Sequence, residues 1–191
     1  DAGRRRLYSV TLAVTNRCGY RCWHCYNAGR SQTDLPLETV ERLAGELQDL
    51  GTVMVTLTGG EPLLRDDLEE IVPHYPHLIL LPKCEHASQL REVDDRIQDL
   101  LKAHGQKREI FLMPIIESCL GVENAFEIAS ASKRVVAMAI GLEDYTADLG
   151  VKRSDEGMES LYARTRLVNA CKAAGIQPID SVFSDVSDME G

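Results

Sequence analysis

Residues 110–150 read IFLMPIIESCLGVENAFEIASASKRVVAMAIGLEDYTADLG, and the alternation inside this stretch decides the fold class. IFLMPII (110–116) and VVAMAI (135–140) are short, nearly continuous apolar runs rich in branched residues, the pattern of strands buried on both faces. A helix is predicted between them over about 122–131. Acidic residues follow each strand directly: Glu117 after the first, Glu143 and Asp144 after the second. Strand, helix and strand in this order make a parallel crossover unit.

The same rhythm extends in both directions. VTLAVT (10–15), VMVTLT (53–58), LILLP (78–82) and a segment within QPIDSVF (177–183) read as further strands. Helices are predicted over about 37–50, 66–72, 90–101 and 157–174, the first from Leu37, Val40, Leu43, Ala44, Leu47 and Leu50 at helical spacing before Gly51. The expected fold is α/β, a six-unit (β/α) open, partial barrel, with an open doubly wound parallel sheet as the alternative. In either arrangement the loops after the strands gather at one rim. That rim would carry the loop after strand one, Gly59-Gly60-Glu61-Pro62 after strand two, Glu117 after strand four and Glu143-Asp144 after strand five.

A chain of 191 residues with 44% hydrophobic content can bury a substantial core. Its formal charge of −9 opposes a nucleic-acid partner, because phosphate binding needs clustered Lys and Arg. No apolar stretch reaches membrane-span length and no charged-then-apolar leader opens the sequence, so the expectation is a cytoplasmic protein. Six cysteines in that setting are expected to be ligands or free thiols rather than a disulfide framework.

Three of them, Cys18, Cys22 and Cys25, lie in CGYRCWHC (18–25) at spacing C-x3-C-x2-C. Three thiolates so close can hold three corners of an iron-sulfur cube with one iron open. Zinc closed by His24, and incidental thiols, are the other readings. Gly59-Gly60 would let backbone approach a ligand, and Glu61 adds a carboxylate that accepts from an ammonium group. On these motifs, LAVTNRCGYRCWHCYN and TGGEPLL, residues 8–72 resemble the radical S-adenosylmethionine enzymes. That resemblance implies a [4Fe-4S] cluster on Cys18, Cys22 and Cys25, S-adenosylmethionine contacted by Gly59, Gly60, Glu61 and Pro62, an external reductant, and a 5′-deoxyadenosyl radical acting on a small molecule.

Residues 78–191 resemble a different group, the citrate lyase β subunit and its HpcH/HpaI aldolase relatives, through LPKCEHASQLREVD, IIESCLGVENAFEIA, GLEDYTADLG and YARTRLVNACKAAGIQPIDSV. Acidic residues after strands also cap helices or stay solvated, which is how Asp180, Asp185 and Asp188 read by themselves. The resemblance implies that Glu117 and Asp144 bind Mg²⁺ beside an α-keto acid. It departs from the family where a carboxylate-binding arginine is expected: Arg65 and Arg91 are present, and nothing in the sequence gives either that role. Cys84, just after strand three, reads either as a thiol reaching the cluster's open corner or as a bystander.

The two resemblances meet at PHYPH (73–77), within what reads as one domain over 1–191, with 1–75 cluster-binding and 76–191 lyase-like. The leading expectation is a radical S-adenosylmethionine protein. A Mg²⁺-dependent carbon-carbon lyase acting on a citryl-, malyl- or citramalyl-type thioester is the alternative, and a non-catalytic hybrid the third. An unclosed sheet edge adds the expectation of a homo-oligomer.

Overall fold

The structure, a computed structural model, describes residues 9–18, 33–52, 54–59, 77–107, 109–154 and 156–181. The chain divides into two compact units, Asp1–Ile71 and Val72–Gly191. The division falls at the edge of PHYPH, where the two sequence resemblances meet.

In the first unit, β1 (Ser9–Thr15) pairs in parallel with β2 (Met54–Gly59), joined through α1 (Leu37–Asp49). Val40 and Leu47 are the buried residues of α1, spaced for one helical face. After β1, the Thr15 hydroxyl donates to Asp34, which also pairs with Arg17 at 3.2 Å.

The second unit contains β3 (Leu78–Leu81), α2 (Ala87–Ala103), β4 (Phe111–Ile116), the short helices α3 (Cys119–Glu123) and α4 (Ala125–Ala129), β5 (Ala137–Ile140), α5 (Leu142–Leu149), α6 (Leu161–Ala174) and β6 (Gln177–Ile179). Its four strands lie in the order β3-β4-β5-β6, all parallel. Sequential order without reversal is how a barrel winds; a doubly wound sheet reverses direction at a switch point. The architecture is therefore α/β with parallel, open sheets.

Burial follows from position in the sheet. Every residue of β5, a central strand, is buried, whereas β4 alternates between buried and half-buried. Leu112, Ile116 and Met138 from the strands are fully enclosed, as are Leu90 and Ile128 from the helices. Two elements differ from the sequence reading. The helix predicted over 122–131 is split at Asn124, whose φ of −88° and ψ of 6° leave the helical region. An extra helix, α5, precedes the one predicted over 157–174; Leu142, Tyr145 and Thr146 form its buried stripe, and Gly150, left-handed at φ 78°, ends it. The helix predicted over 66–72 lies outside the described residues. Among those described, no helix is long and apolar enough to cross a membrane.

Opposite the strand ends that carry the acidic residues, Asp94 on α2 ties the helix to the segment before β5. It accepts from Arg134 Nε at 2.7 Å and from the Ser132 hydroxyl at 2.6 Å, while Arg134 donates to the Ile110 carbonyl at 3.2 Å. Burial alone would raise the Asp94 carboxyl. The hydrogen bonds from Ser132, Gln98 and Arg134, with the Arg134 charge, outweigh it and hold the group below the usual carboxylate range. A depressed carboxyl adds stability that is complete above the unfolded value of about 3.9 and is lost as pH falls through the lower folded value. Urea midpoints taken between about pH 5 and pH 3 should therefore fall less steeply for Asp94→Asn than for the wild type; parallel curves would remove Asp94 from the acid response.

Candidate functional site

Parallel pairing of β3, β4 and β5 brings three strand ends side by side. Beyond β3 stand Pro82, Lys83 and Cys84; beyond β4, Glu117 and Ser118; beyond β5, Gly141 and the first turn of α5 with Glu143 and Asp144. Backbone bonds lock the junctions: Cys84 N–H donates to the Ile115 carbonyl at 3.1 Å and Gly141 N–H to the Ile116 carbonyl at 2.9 Å.

Lys83 joins the two acidic positions. Its backbone N–H donates to Glu117 Oε2 at 2.8 Å, and its ammonium donates to Asp144 Oδ1 at 2.6 Å. The ion pair is mostly enclosed, with 26% of the Lys83 side chain and 22% of the Asp144 side chain exposed. Lys83 is also the one non-glycine residue among those described with positive φ, at 50°. That conformation costs an L-residue about 1–2 kcal/mol.

Glu117 needs Gly141. A Cβ at 141 would lie 2.7 Å from both Cγ and Oε1 of Glu117, so the carboxylate occupies the space a side chain would fill. Neighbouring groups hold the frame. Ser118 caps α3 by accepting from Gly121 N–H at 3.2 Å, and Asp148 accepts from Cys119 N–H at 2.8 Å. Gln89 accepts from the N–H groups of Glu85 and His86 at 2.8 and 2.9 Å, fixing the turn that follows Lys83.

Of the acidic residues singled out in the sequence, Glu117 and Asp144 therefore meet at Lys83. Glu143 instead pairs with Arg153, and Asp180, after β6, pairs with Arg164. Arg91 is exposed on α2, and Arg65 lies outside the described residues. Nothing in LPKCEHASQL by itself assigns Lys83 a role; the one signal is a lysine directly after the proline that follows a strand.

The first-unit expectations fare differently. Cys18 is half-buried just beyond β1, and Gly59 is the last residue of β2. Cys22, Cys25, Gly60, Glu61 and Pro62 lie outside the described residues. Among those described, no three His, Cys, Asp or Glu side chains gather as a metal set. Cys84 is fully buried, and burial pushes its thiol up to about 12.

The family model for HpcH/HpaI aldolase/citrate lyase matches residues 48–191. The citrate lyase β subunit of Leuconostoc mesenteroides subsp. cremoris is 38% identical over 157 residues, covering 81% of this chain and 50% of that protein. The L-malyl-CoA/β-methylmalyl-CoA lyase of Rhodobacter capsulatus is 34% identical over 146 residues, 68% of this chain and 44% of that one. The chain thus spans about half the length of the curated relatives it matches. Among solved structures, the citrate lyase β subunit of M. tuberculosis complexed with oxaloacetate and magnesium superposes with a TM-score of 0.57 at 22% identity, over 98% of this chain and 84% of that one, a likeness of fold.

These matches overturn the radical S-adenosylmethionine reading, and with it the [4Fe-4S] cluster, S-adenosylmethionine and the external reductant. The family match begins at residue 48, so it runs through the TGGEPLL segment that the cofactor was expected to touch. The Leuconostoc alignment covers more of the chain than residues 78–191 can supply. A cysteine spacing of eight residues is a local pattern that many folds can carry, whereas a continuous match constrains the whole order of strands and loops. The chain belongs to the HpcH/HpaI aldolase/citrate lyase family.

Proposed function

We propose that this chain carries the metal-binding part of a Mg²⁺-dependent carbon-carbon lyase acting on a citryl-, malyl- or citramalyl-type thioester. The observation that carries the reading is the meeting of Glu117 and Asp144 at Lys83, on adjacent strand ends of a citrate lyase-type fold. The donor set fits the ion. Mg²⁺ takes oxygen ligands, keeps several waters and is commonly held by one or two carboxylates. Glu117 and Asp144 supply two such groups, and the space left by Gly141 gives the Glu117 carboxylate its seat. When bound, the ion would polarise the oxygens of an α-keto acid unit.

The chain's own residues supply the order that such chemistry needs. The Lys83 N–H holds Oε2 of Glu117, and Asp144 is carried on the first turn of α5. Holding both carboxylates in advance lowers the reorganisation required when the ion and substrate arrive. Association with further copies fits the same reading: among the described residues, Leu161 and Val168 on α6 and Ile179 on β6 are 49%, 45% and 39% exposed.

The test has two stages. Calorimetric titration with Mg²⁺ should give saturable binding that Glu117→Gln and Asp144→Asn each weaken by more than about tenfold, since loss even of an outer partner costs about 10–100-fold. Release of oxaloacetate, glyoxylate or pyruvate from the citryl, malyl or citramalyl thioester, respectively, should then depend on Mg²⁺ and vanish in both variants. Full metal affinity in both variants would remove the proposed site.

Gly141→Ala offers a test that changes neither carboxylate chemically. The added methyl must displace Glu117, so Mg²⁺ affinity should fall by about 10–100-fold while circular dichroism stays that of the wild type. An affinity equal to the wild type would mean that Glu117 is not seated against Gly141.

A further inference from the structure

We propose that Lys83 is a positioning residue that holds the place of the cation: its ammonium keeps Asp144 at the site while no metal is bound, and is displaced when the metal binds. The proposal rests on the reading of Glu117 and Asp144 as metal ligands.

Lys83 meets the two carboxylates by contacts of different kinds. The N–H to Glu117 at 2.8 Å is part of the backbone and stays wherever the side chain goes. The ammonium to Asp144 at 2.6 Å sits at the end of a four-carbon stem with many rotamers. One residue therefore offers a fixed contact to one carboxylate and a releasable contact to the other.

The backbone is arranged for both. At φ 50° the chain turns so that the N–H and the side chain of the same residue reach one carboxylate just beyond β4 and another in the first turn of α5. The turn is held from its far side by Gln89, whose amide oxygen accepts from Glu85 and His86 and whose amide nitrogen lies 3.5 Å from the Lys83 carbonyl oxygen. A non-glycine residue kept in a disfavoured conformation by surrounding hydrogen bonds points to a task at that position.

The chemistry of displacement follows from charge and distance. A magnesium ion approaches carboxylate oxygen to about 2.0–2.1 Å, and an ammonium and a divalent ion crowded onto one carboxylate repel each other. The ammonium is monovalent and well hydrated once released, so it yields to the divalent ion. Until the metal arrives, the same ammonium balances the charge of Asp144.

The experiment uses Mn²⁺ as a paramagnetic stand-in, with free ion counted by electron paramagnetic resonance. Lys83→Met removes the competing charge and keeps the stem, and should bind Mn²⁺ about tenfold more tightly than the wild type. Lys83→Arg, which keeps a cation there, should show no tightening. A purely structural role predicts the opposite sign, weaker binding in Lys83→Met.

A second measurement needs no substitution. Acylation of lysines in the wild type, read by mass spectrometry, should increase at Lys83 when Mg²⁺ is added and stay constant at Lys102, which is 75% exposed on α2. Equal or weaker Mn²⁺ binding by Lys83→Met, or labelling of Lys83 that falls or does not change, overturns the proposal. If Glu117→Gln and Asp144→Asn lose Mn²⁺ in the same titration, the metal site stands and only the role of Lys83 falls. If both bind as the wild type does, the acidic pair itself is not the site and the proposal falls with it.

Discussion

The parallel ladder β3-β4-β5-β6 is the constraint from which the rest of the second unit follows. Parallel strands require a crossover between each pair, and those crossovers are the helices that bury the sheet. The same rule sends every strand out of the sheet in one direction, so Lys83, Glu117 and Asp144, far apart in sequence, leave it at one edge. The opposite ends of the strands take a different chemistry. There Asp94, Ser132 and Arg134 close a hydrogen-bonded knot that fastens α2 beneath β4 and β5.

Bringing two carboxylates to one edge has an electrostatic cost that the fold must offset. The Lys83 ammonium meets one of these carboxylates and its backbone N–H the other, and both donors lie within one residue in a left-handed conformation, which costs about 1–2 kcal/mol. Gly141 contributes by omission, since any side chain there would push Glu117 out of the arrangement.

The contrast between the cysteine loop and the acidic pair turns on how each signal is distributed. CGYRCWHC gathers three soft ligands within eight residues, so its chemistry can be imagined without any fold. Glu117 and Asp144 are 27 residues apart and become a site only when β4 and β5 pair. A compact motif therefore attracts more weight than a dispersed one, although a dispersed pair embedded in a continuous family pattern carries more information about the whole chain. The family match through residues 48–191 is information of that second kind.

By itself the sequence determined the order of six strands and the parallel α/β class, because apolar runs of strand length alternating with amphipathic stretches allow little else. It also placed Glu117 and Asp144 after their strands, since strand ends can be read from where an apolar run stops. It did not determine the extra helix α5, whose eight residues are too few for periodicity to stand out, nor the break at Asn124, which depends on packing against α6 and β4. Lys83 was hidden for a different reason. Positive φ at a lysine runs against local preference, and contacts to Glu117, Asp144 and the Gln89-braced turn accompany it. Local residue preferences wrote the strands and helices into the sequence; contacts between residues distant in the chain, which exist only once the sheet has formed, decided which of the acidic residues became a pair.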